Sequence, residues 1–174
     1  MPALGGAWQQ LTTNPGADLQ PNWSPDGKEV VYLTAREGFN AVWVTPLAGG
    51  EGREIARTVS SGHYSPDGRQ IAFGMNGRVV RRSASGSGEI VDVSRTPAFK
   101  SIWAPDGSRL FFASANGPRN LFVVEADGKR ERAVTDLRGR RGTIVTNSIA
   151  TDGRFLYFSW QEDLGDLWVA DLVK

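Results

Sequence analysis

The chain has 174 residues and a mass of 18.9 kDa, the size of one domain with a single hydrophobic core rather than a large multi-domain enzyme. Its 20 basic and 19 acidic residues give a net charge of +1, so no global field would draw it onto nucleic acid or an anionic membrane. The absence of cysteine excludes disulfide bonds, thiolate catalysis and cysteine zinc sites.

Targeting signals are not evident in the sequence. No apolar run approaches the ~20 residues that span a bilayer. Residues 1–7 also lack the basic start and long apolar stretch of a signal peptide. We therefore expect neither a membrane span nor a leader in this chain.

The composition favours short strands over helices. The 21 glycines and 9 prolines interrupt helices, and no window keeps apolar residues at the i, i+3, i+4, i+7 spacing of a helix face. We therefore expect an all-β fold of short strands joined by tight turns.

Four similar segments are spaced along the chain. They are 22–27 (NWSPDG), 63–68 (HYSPDG), 102–107 (IWAPDG) and 149–153 (IATDG). Pro-Asp-Gly is typical of a tight turn, because proline presets φ and glycine accepts a positive φ. An aliphatic residue lies four positions after each Asp and an aromatic residue six positions after it: Val30 and Tyr32, Ile71 and Phe73, Leu110 and Phe112, Leu156 and Phe158. This spacing predicts a strand after each turn, with both residues on one face. The residue between them is also apolar or small (Val31, Ala72, Phe111, Tyr157), so we expect strands that are apolar on both faces and covered on both by stacked sheets.

Each repeat predicts four strands, denoted a to d in chain order. In the first repeat they are 19–24, 29–35, 41–46 and 53–58. The second has Asn76-Gly77 as a hairpin turn between strands b and c. Strands are also predicted at 110–114, 121–125 and 133–136 in the third repeat, and at 155–160 and 166–172 in the fourth.

Four strands every ~40 to 45 residues are typical of propeller blades. The sequence therefore predicts one all-β domain, a β-propeller of four four-stranded blades. The predicted blades are about 13–58, 59–95, 96–136 and 137–174.

The fourth repeat has no strand d of its own. Residues 8–12 (WQQLT) are similar to strand d of the third repeat, 132–135 (RAVT). We therefore predict that the strand at 8–12 completes the last blade and hides sheet edges that would otherwise promote aggregation.

The segment 23–27 (WSPDG) and its counterparts 64–68 (YSPDG) and 103–107 (WAPDG), together with 33–44 (LTAREGFNAVWV), resemble the TolB-like, WD-repeat-like β-propeller family, whose blades carry a Trp-Ser-Pro-Asp-Gly signature. The resemblance covers nearly the whole chain, although the fourth repeat has Ala-Thr-Asp-Gly at 150–153. It implies a bacterial protein-binding propeller. A TolB-like role implies a periplasmic location, and a cytoplasmic one stays open.

Propellers of this family usually have six to eight blades, which leaves three arrangements open. They are a small four-bladed ring, a homodimer sharing an eight-bladed ring, and a piece of a longer propeller, such as the C-terminal sensor or interaction domain of a larger bacterial protein.

Catalytic and cofactor motifs are not found. There is no Gly-x-Ser-x-Gly, His-Glu-x-x-His, phosphate-binding or dinucleotide motif, and the Asp residues of the turns lack calcium-site spacing. His63 is the one histidine and lies in a predicted strand a, so we expect a partly buried, hydrogen-bonded residue at the channel rather than a catalytic base. We predict a protein without catalysis, cofactor or metal.

Geometry indicates where a partner would bind. The b-to-c and d-to-a connections lie on one rim, around a central channel. Arginine and exposed aromatic residues are enriched in binding hot spots. The candidate rim residues are Arg36, Phe39, Arg119, Trp160, Arg138, Arg140 and Arg141. The last three belong to a basic loop that is either simply solvated or a lip that binds an anion or a partner.

The predicted function is protein or peptide binding. Nucleic acid is disfavoured because the basic loop has no aromatic residues for stacking. The alternative is an accessory propeller that gates substrate for a peptidase or another catalytic domain outside this chain. A hydrolase site in the channel is a third class, disfavoured by the single histidine.

Overall fold

The computed structural model describes residues 7, 9–36, 38–58, 60–116, 120–162 and 167–171. Within these ranges the regular secondary structure consists of β-strands, which form four antiparallel sheets. The all-β propeller with four blades, predicted from the repeats, is confirmed.

The first blade contains β1 (Asp18–Trp23), β2 (Glu29–Arg36), β3 (Phe39–Pro46) and β4 (Arg53–Arg57). The second contains β5 (His63–Tyr64), β6 (Gln70–Met75), β7 (Arg78–Ser83) and β8 (Val91–Asp92). The third contains β9 (Ser101–Trp103), β10 (Arg109–Ala113), β11 (Leu121–Glu125) and β12 (Arg132–Ala133). The fourth contains β13 (Thr143–Thr151), β14 (Phe155–Gln161) and β15 (Leu167–Asp171).

The Pro-Asp-Gly turns fold as predicted because the Asp side chain binds its own turn. In the second blade, Asp67 Oδ1 accepts hydrogen bonds from Ser65 Oγ at 2.6 Å and from the Arg69 backbone N–H at 3.0 Å. These bonds, that of Ser65 first, lower the pKa of Asp67 below its usual value. Gly68 takes a φ of 72°, which a residue with a Cβ adopts only at a cost.

Hydrophobic clusters lie between consecutive blades. Val31, Val42 and Val44 of the first blade pack against Ile71 and Phe73 of the second. A second cluster joins blades two and three, and a third joins blades three and four. The strands of the second and third blades that are apolar on both faces are therefore covered on both, as the sequence predicts.

Polar contacts join the inner strands of neighbouring blades. Asn22 Nδ2 donates to the Gly62 carbonyl at 3.1 Å, and Trp103 Nε1 donates to the His63 carbonyl at 3.1 Å. These bonds fix one innermost strand against the next.

Proline and glycine of successive turns also lie side by side. A methyl group added at Gly68 would be 3.8 Å from Cδ of Pro25, and one added at Gly107 would be 3.7 Å from Cδ of Pro66. Gly153 has the same relation to Pro105, at 3.5 Å from its Cγ. Each blade boundary therefore uses the same proline–glycine contact.

The N-terminal segment does not complete the last blade. Residues 9–12 are not in a strand, and Gln9 Nε2 lies 3.4 Å from the Leu47 carbonyl of the first blade. Asn14 Nδ2 donates to Thr34 Oγ1 at 3.0 Å and to the Ala35 carbonyl at 2.9 Å. These contacts attach the segment to β2, so the prediction for 9–12 is wrong; Trp8 lies outside the described residues. In the described part of the chain the fourth sheet has three strands.

Among the described residues, the structure contains no helix with the length and apolar character needed to cross a membrane.

Candidate binding site

The connections that carry the predicted binding residues lie next to one another across blades. The Ala98 N–H donates to the Gly77 carbonyl at 2.8 Å, and the Ala115 N–H donates to the Pro97 carbonyl at 2.7 Å. The connection 93–100 therefore contacts the b-to-c turns of the second and third blades. We call the described residues of these connections, 38–39, 60–62, 76–77, 93–100, 115–116 and 134–142, with Arg36 and Arg57 beside them, the binding rim.

Two arginines lie over aromatic rings at the first-blade end of this rim. The guanidinium carbon of Arg36 lies 4.1 Å from the centre of the Trp43 ring, and that of Arg57 lies 4.0 Å from the centre of the Phe39 ring. Such contacts hold a cation over the negative face of the ring. Arg36 and Phe39 are half-buried, and Arg57 is exposed. The first blade therefore presents two ordered cation–aromatic pairs.

The basic loop between the third and fourth blades is held by Asn120, whose Oδ1 accepts the Leu137 N–H at 2.8 Å. Arg138 donates from Nε at 2.8 Å and from its terminal nitrogen at 2.6 Å to Asp136, lowering the pKa of that carboxyl to about 2. Arg138, Arg140 and Arg141 are all exposed. The loop is thus a positively charged, solvent-facing part of the rim.

Trp160 is not an exposed docking residue. It is 5% exposed and packs in the cluster between the third and fourth blades. Its Nε1 donates to the Arg141 carbonyl at 3.2 Å and to Glu162 at 2.6 Å. The prediction of an exposed Trp160 is wrong, because it shares a strand face with Leu156 and Phe158. Arg119 lies outside the described residues.

His63 lies in the innermost strand of the second blade, where β5 pairs it with Ala72. Burial lowers the pKa of His63 to about 4, and the charge of Lys100 acts in the same direction. Its Nε2 is buried and has no hydrogen-bond partner among the described residues. The ring is therefore neutral at physiological pH, as expected for a buried histidine. The hydrogen bond predicted for this ring is not found at Nε2, because no donor or acceptor among the described residues reaches that atom.

Sequence reasoning missed Phe99 and Lys100. Phe99 is 52% exposed on the rim, while its backbone carbonyl accepts a hydrogen bond from Ser60 Oγ. Lys100 is half-buried, and burial lowers its pKa. An aromatic residue and a lysine at the end of a connection, just before an innermost strand, were the available signal.

The opposite rim carries a concavity of about 560 Å³ between the second and third blades. Asp67, Asp106 and Asp127 lie around it, beside Trp103 and Arg81. Arg81 is held there by the Ala126 carbonyl at 3.0 Å and by Gln70 at 3.2 Å. Across the described part of the chain, no group of three or more histidine or carboxylate residues is placed to hold a metal ion.

Comparison with known proteins identifies relatives of these blades. The sequence model of the family described as "TolB beta propeller domain" matches residues 1–142. "Tol-Pal system protein TolB" of Anaeromyxobacter dehalogenans (strain 2CP-C) is 34% identical over 90 residues, which are 48% of this chain and 21% of that protein. The chain thus spans about a fifth of the length of this curated relative.

Solved structures are similar in fold. TolB from Acinetobacter baumannii superposes with a TM-score of 0.73 and 18% identity, covering 93% of this chain and 43% of that one. A puromycin-hydrolyzing peptidase of Mycobacterium tuberculosis superposes with a TM-score of 0.67 and 13% identity, covering 92% of this chain and 30% of that one. At these identities the likeness establishes the fold alone.

Proposed function

The chain belongs to the TolB beta propeller domain family, and from this membership we propose that it is a protein- or peptide-binding module whose partner docks on the binding rim. The single observation that supports this most is the collection of cationic and aromatic side chains on one rim. These are Arg36 over Trp43, Arg57 over Phe39, the exposed Phe99, and the basic loop.

The charge of this rim favours an acidic partner. Arg57, Arg138, Arg140 and Arg141 are exposed, and Lys100 lies half-buried beside Phe99. Complementary potentials steer association and set specificity more than they add affinity. Exposed Phe99 would provide the apolar contact at the centre of such an interface.

A binding role without catalysis is part of the proposal. His63 is neutral and its Nε2 lacks a partner among the described residues, so nothing found there orients it as a general base. The puromycin-hydrolyzing peptidase shares only the fold with this chain, and that likeness supports no substrate-gating role for it. A periplasmic location follows from the TolB resemblance and belongs to the same proposal.

The test uses two matched charge reversals. The rim variant carries Arg138→Glu, Arg140→Glu and Arg141→Glu. The control carries Lys28→Glu, Lys129→Glu and Arg130→Glu, three exposed cations on the opposite rim. Proteins captured by the wild-type chain from a bacterial periplasmic extract are identified by mass spectrometry, and their affinities are measured with purified partner.

We expect the rim variant to bind at least about tenfold more weakly, which corresponds to about 1.4 kcal/mol, and the control to bind as wild type does. Binding should also weaken with salt. Equal losses in the two variants, or no loss in either, would contradict docking on this rim.

A further inference from the structure

Aromatic residues just before the Pro-Asp-Gly turns reach back to the preceding blade. The Tyr64 hydroxyl donates to Glu29 of the first blade at 2.8 Å, and Trp103 Nε1 donates to the His63 carbonyl of the second at 3.1 Å. Trp23 holds the same position in the first blade. It is 64% exposed, and its indole nitrogen has no hydrogen bond among the described residues.

The rest of this blade face is covered in part by the N-terminal segment and not by a blade. Val30 and Tyr32 are the equivalents of Leu110 and Phe112, which a preceding blade buries. On the first blade, Leu11 and Thr12 lie beside Val30 and Tyr32, which are both buried, while Leu19 remains 53% exposed. A cavity of about 190 Å³ remains between them, lined mainly by apolar side chains. We call this face, with Leu19, Pro21, Val30, Tyr32 and Trp23, the head face.

The fourth blade has a matching uncovered face. Tyr157 pairs with Val169 as Phe111 pairs with Val123, so the two aromatic residues are equivalent. Phe111 is fully buried against the next blade, whereas Tyr157 is 40% exposed. The fourth sheet also has three strands where the others have four, in the described part of the chain. We call this side, with Tyr157, Phe155 and β15, the tail face.

One contact would cover the side chains that remain exposed on the two faces, Leu19, Trp23 and Tyr157. We propose that copies of this chain associate head to tail, with the tail face of one copy packed on the head face of the next. The new boundary would continue the interface that already occurs three times within the chain. In it, Trp23 donates to a backbone carbonyl of β13, and Leu19 packs against the face that carries Tyr157.

The N-terminal segment lies where the outer part of a preceding blade would pack. Residues 9–12 (QQLT) are similar to the outermost strand region 132–135 (RAVT), and they already lie on the head face, where the outer part of a preceding blade belongs. In the association they supply the fourth strand beside β15 of the neighbouring copy. The same residues thus cover one copy and pair with the other.

A second copy fits this face better than an unrelated partner does. An interface between identical chains that joins different surfaces is heterologous, and it forms rings or open chains according to the rotation between copies. Both halves of the interface are present on this one sequence, and the contact leaves the binding rim exposed. The proposal is independent of what binds there.

The first test measures mass by analytical ultracentrifugation over about a hundredfold range of protein concentration. We expect multiples of 18.9 kDa that increase with concentration for the wild type. Trp23→Asp and Tyr157→Lys should each give monomer. An equimolar mixture of the two should give a heterodimer, because the intact tail face of Trp23→Asp can pack on the intact head face of Tyr157→Lys. Phe99→Asp, at an equally exposed aromatic on the rim, should associate as the wild type does.

A second test does not depend on those variants. The chain has no cysteine, so Leu19→Cys and Tyr157→Cys chains carry one thiol each. On mixing and oxidation, disulfides between the two kinds of chain should form at least about tenfold faster than those between identical chains. Monomer at every concentration, association that only Phe99→Asp disrupts, or cross-links without this preference would each overturn the proposal.

Discussion

The Tyr64 hydroxyl donates a 2.8 Å hydrogen bond to Glu29 Oε2, so a side chain of the second blade binds a carboxylate of the first. Arg53 holds the same carboxylate with two hydrogen bonds of 2.6 and 2.7 Å, and its Nε donates to the Ala84 carbonyl at 2.9 Å. Burial, followed by the bond to Glu29, raises the pKa of Tyr64, and the Arg53 bond lowers that of Glu29. The cluster is a polar joint between two hydrophobic sheets.

Glu29→Gln should destabilise the protein by about 1 to 3 kcal/mol, because it removes a charge-assisted pair at a partly buried boundary. Urea unfolding at neutral pH measures the loss. Since the pKa of Glu29 is lowered in the folded state, its contribution is present above its usual value of 4.5 and is lost as the pH falls below it. The difference in unfolding free energy between the wild type and Glu29→Gln should therefore become smaller at acid pH. Asp136→Asn, which breaks a solvent-exposed pair, should cost much less than Glu29→Gln, and an equal loss in the two variants would refute the assignment.

His63 should make stability depend on pH between 6.5 and 4. Its folded pKa of about 4 lies below the usual 6.5, so the unfolded chain takes up the proton first as the pH falls. The neutral ring's contribution is complete above 6.5 and declines toward 4, by on the order of 3 kcal/mol at full effect. His63→Gln should flatten this part of the curve of unfolding free energy against pH. An unchanged slope would show that other groups are responsible.

Trp103→Phe should lower stability by about 1 kcal/mol, since it removes the bond to the His63 carbonyl while keeping an aromatic ring. Trp23→Phe is the matched control in dilute protein, because Trp23 is 64% exposed and should change stability by at most about 0.5 kcal/mol. Denaturant midpoints compare the two. A Trp103→Phe protein as stable as the control would argue against this bond as a blade joint.

Gly74→Ala should push the Phe99 backbone away from β6, at the boundary between the second and third blades. A Cβ at Gly74 would lie 2.0 Å from the Phe99 carbonyl oxygen and 2.6 Å from its carbon, so backbone must move, at a cost of about 1 to 3 kcal/mol. NMR amide signals of residues 97–101 should shift. Gly27→Ala, whose Cβ meets nothing within 4 Å, should leave those signals in place. Unmoved signals in Gly74→Ala would mean that the contact is not tight.

The repeat predicted the blades because each element of it is local. The Asp67 carboxylate, the glycine after it, and the alternating Ile71 and Phe73 act within ten residues, so their spacing alone specifies turn and strand. Trp160 was predictable by the same rule, since it continues the alternation of Leu156 and Phe158, but its position at the end of the predicted strand, beside the connection, suggested exposure.

The N-terminal segment depended on information that is not local. The pattern of 8–12 fits the outermost strand of any blade, and what places 9–12 is the pair of bonds from Asn14 to Thr34 and Ala35. Phe99 and Lys100 were missed for a similar reason. Their positions follow from the close approach of Gly74 to the Phe99 backbone, which no repeat position encodes.

The proline of one turn beside the glycine of the next has an evolutionary consequence. The three blade boundaries have the same contact, between Pro25 and Gly68, Pro66 and Gly107, and Pro105 and Gly153. Each repeat therefore carries the proline for one boundary and the glycine for the other. Recombination that duplicates or deletes a whole repeat would restore the proline–glycine contact at the new blade boundary, whereas a breakpoint within a sheet would not. Gene rearrangement can therefore change the number of units without redesigning any of them.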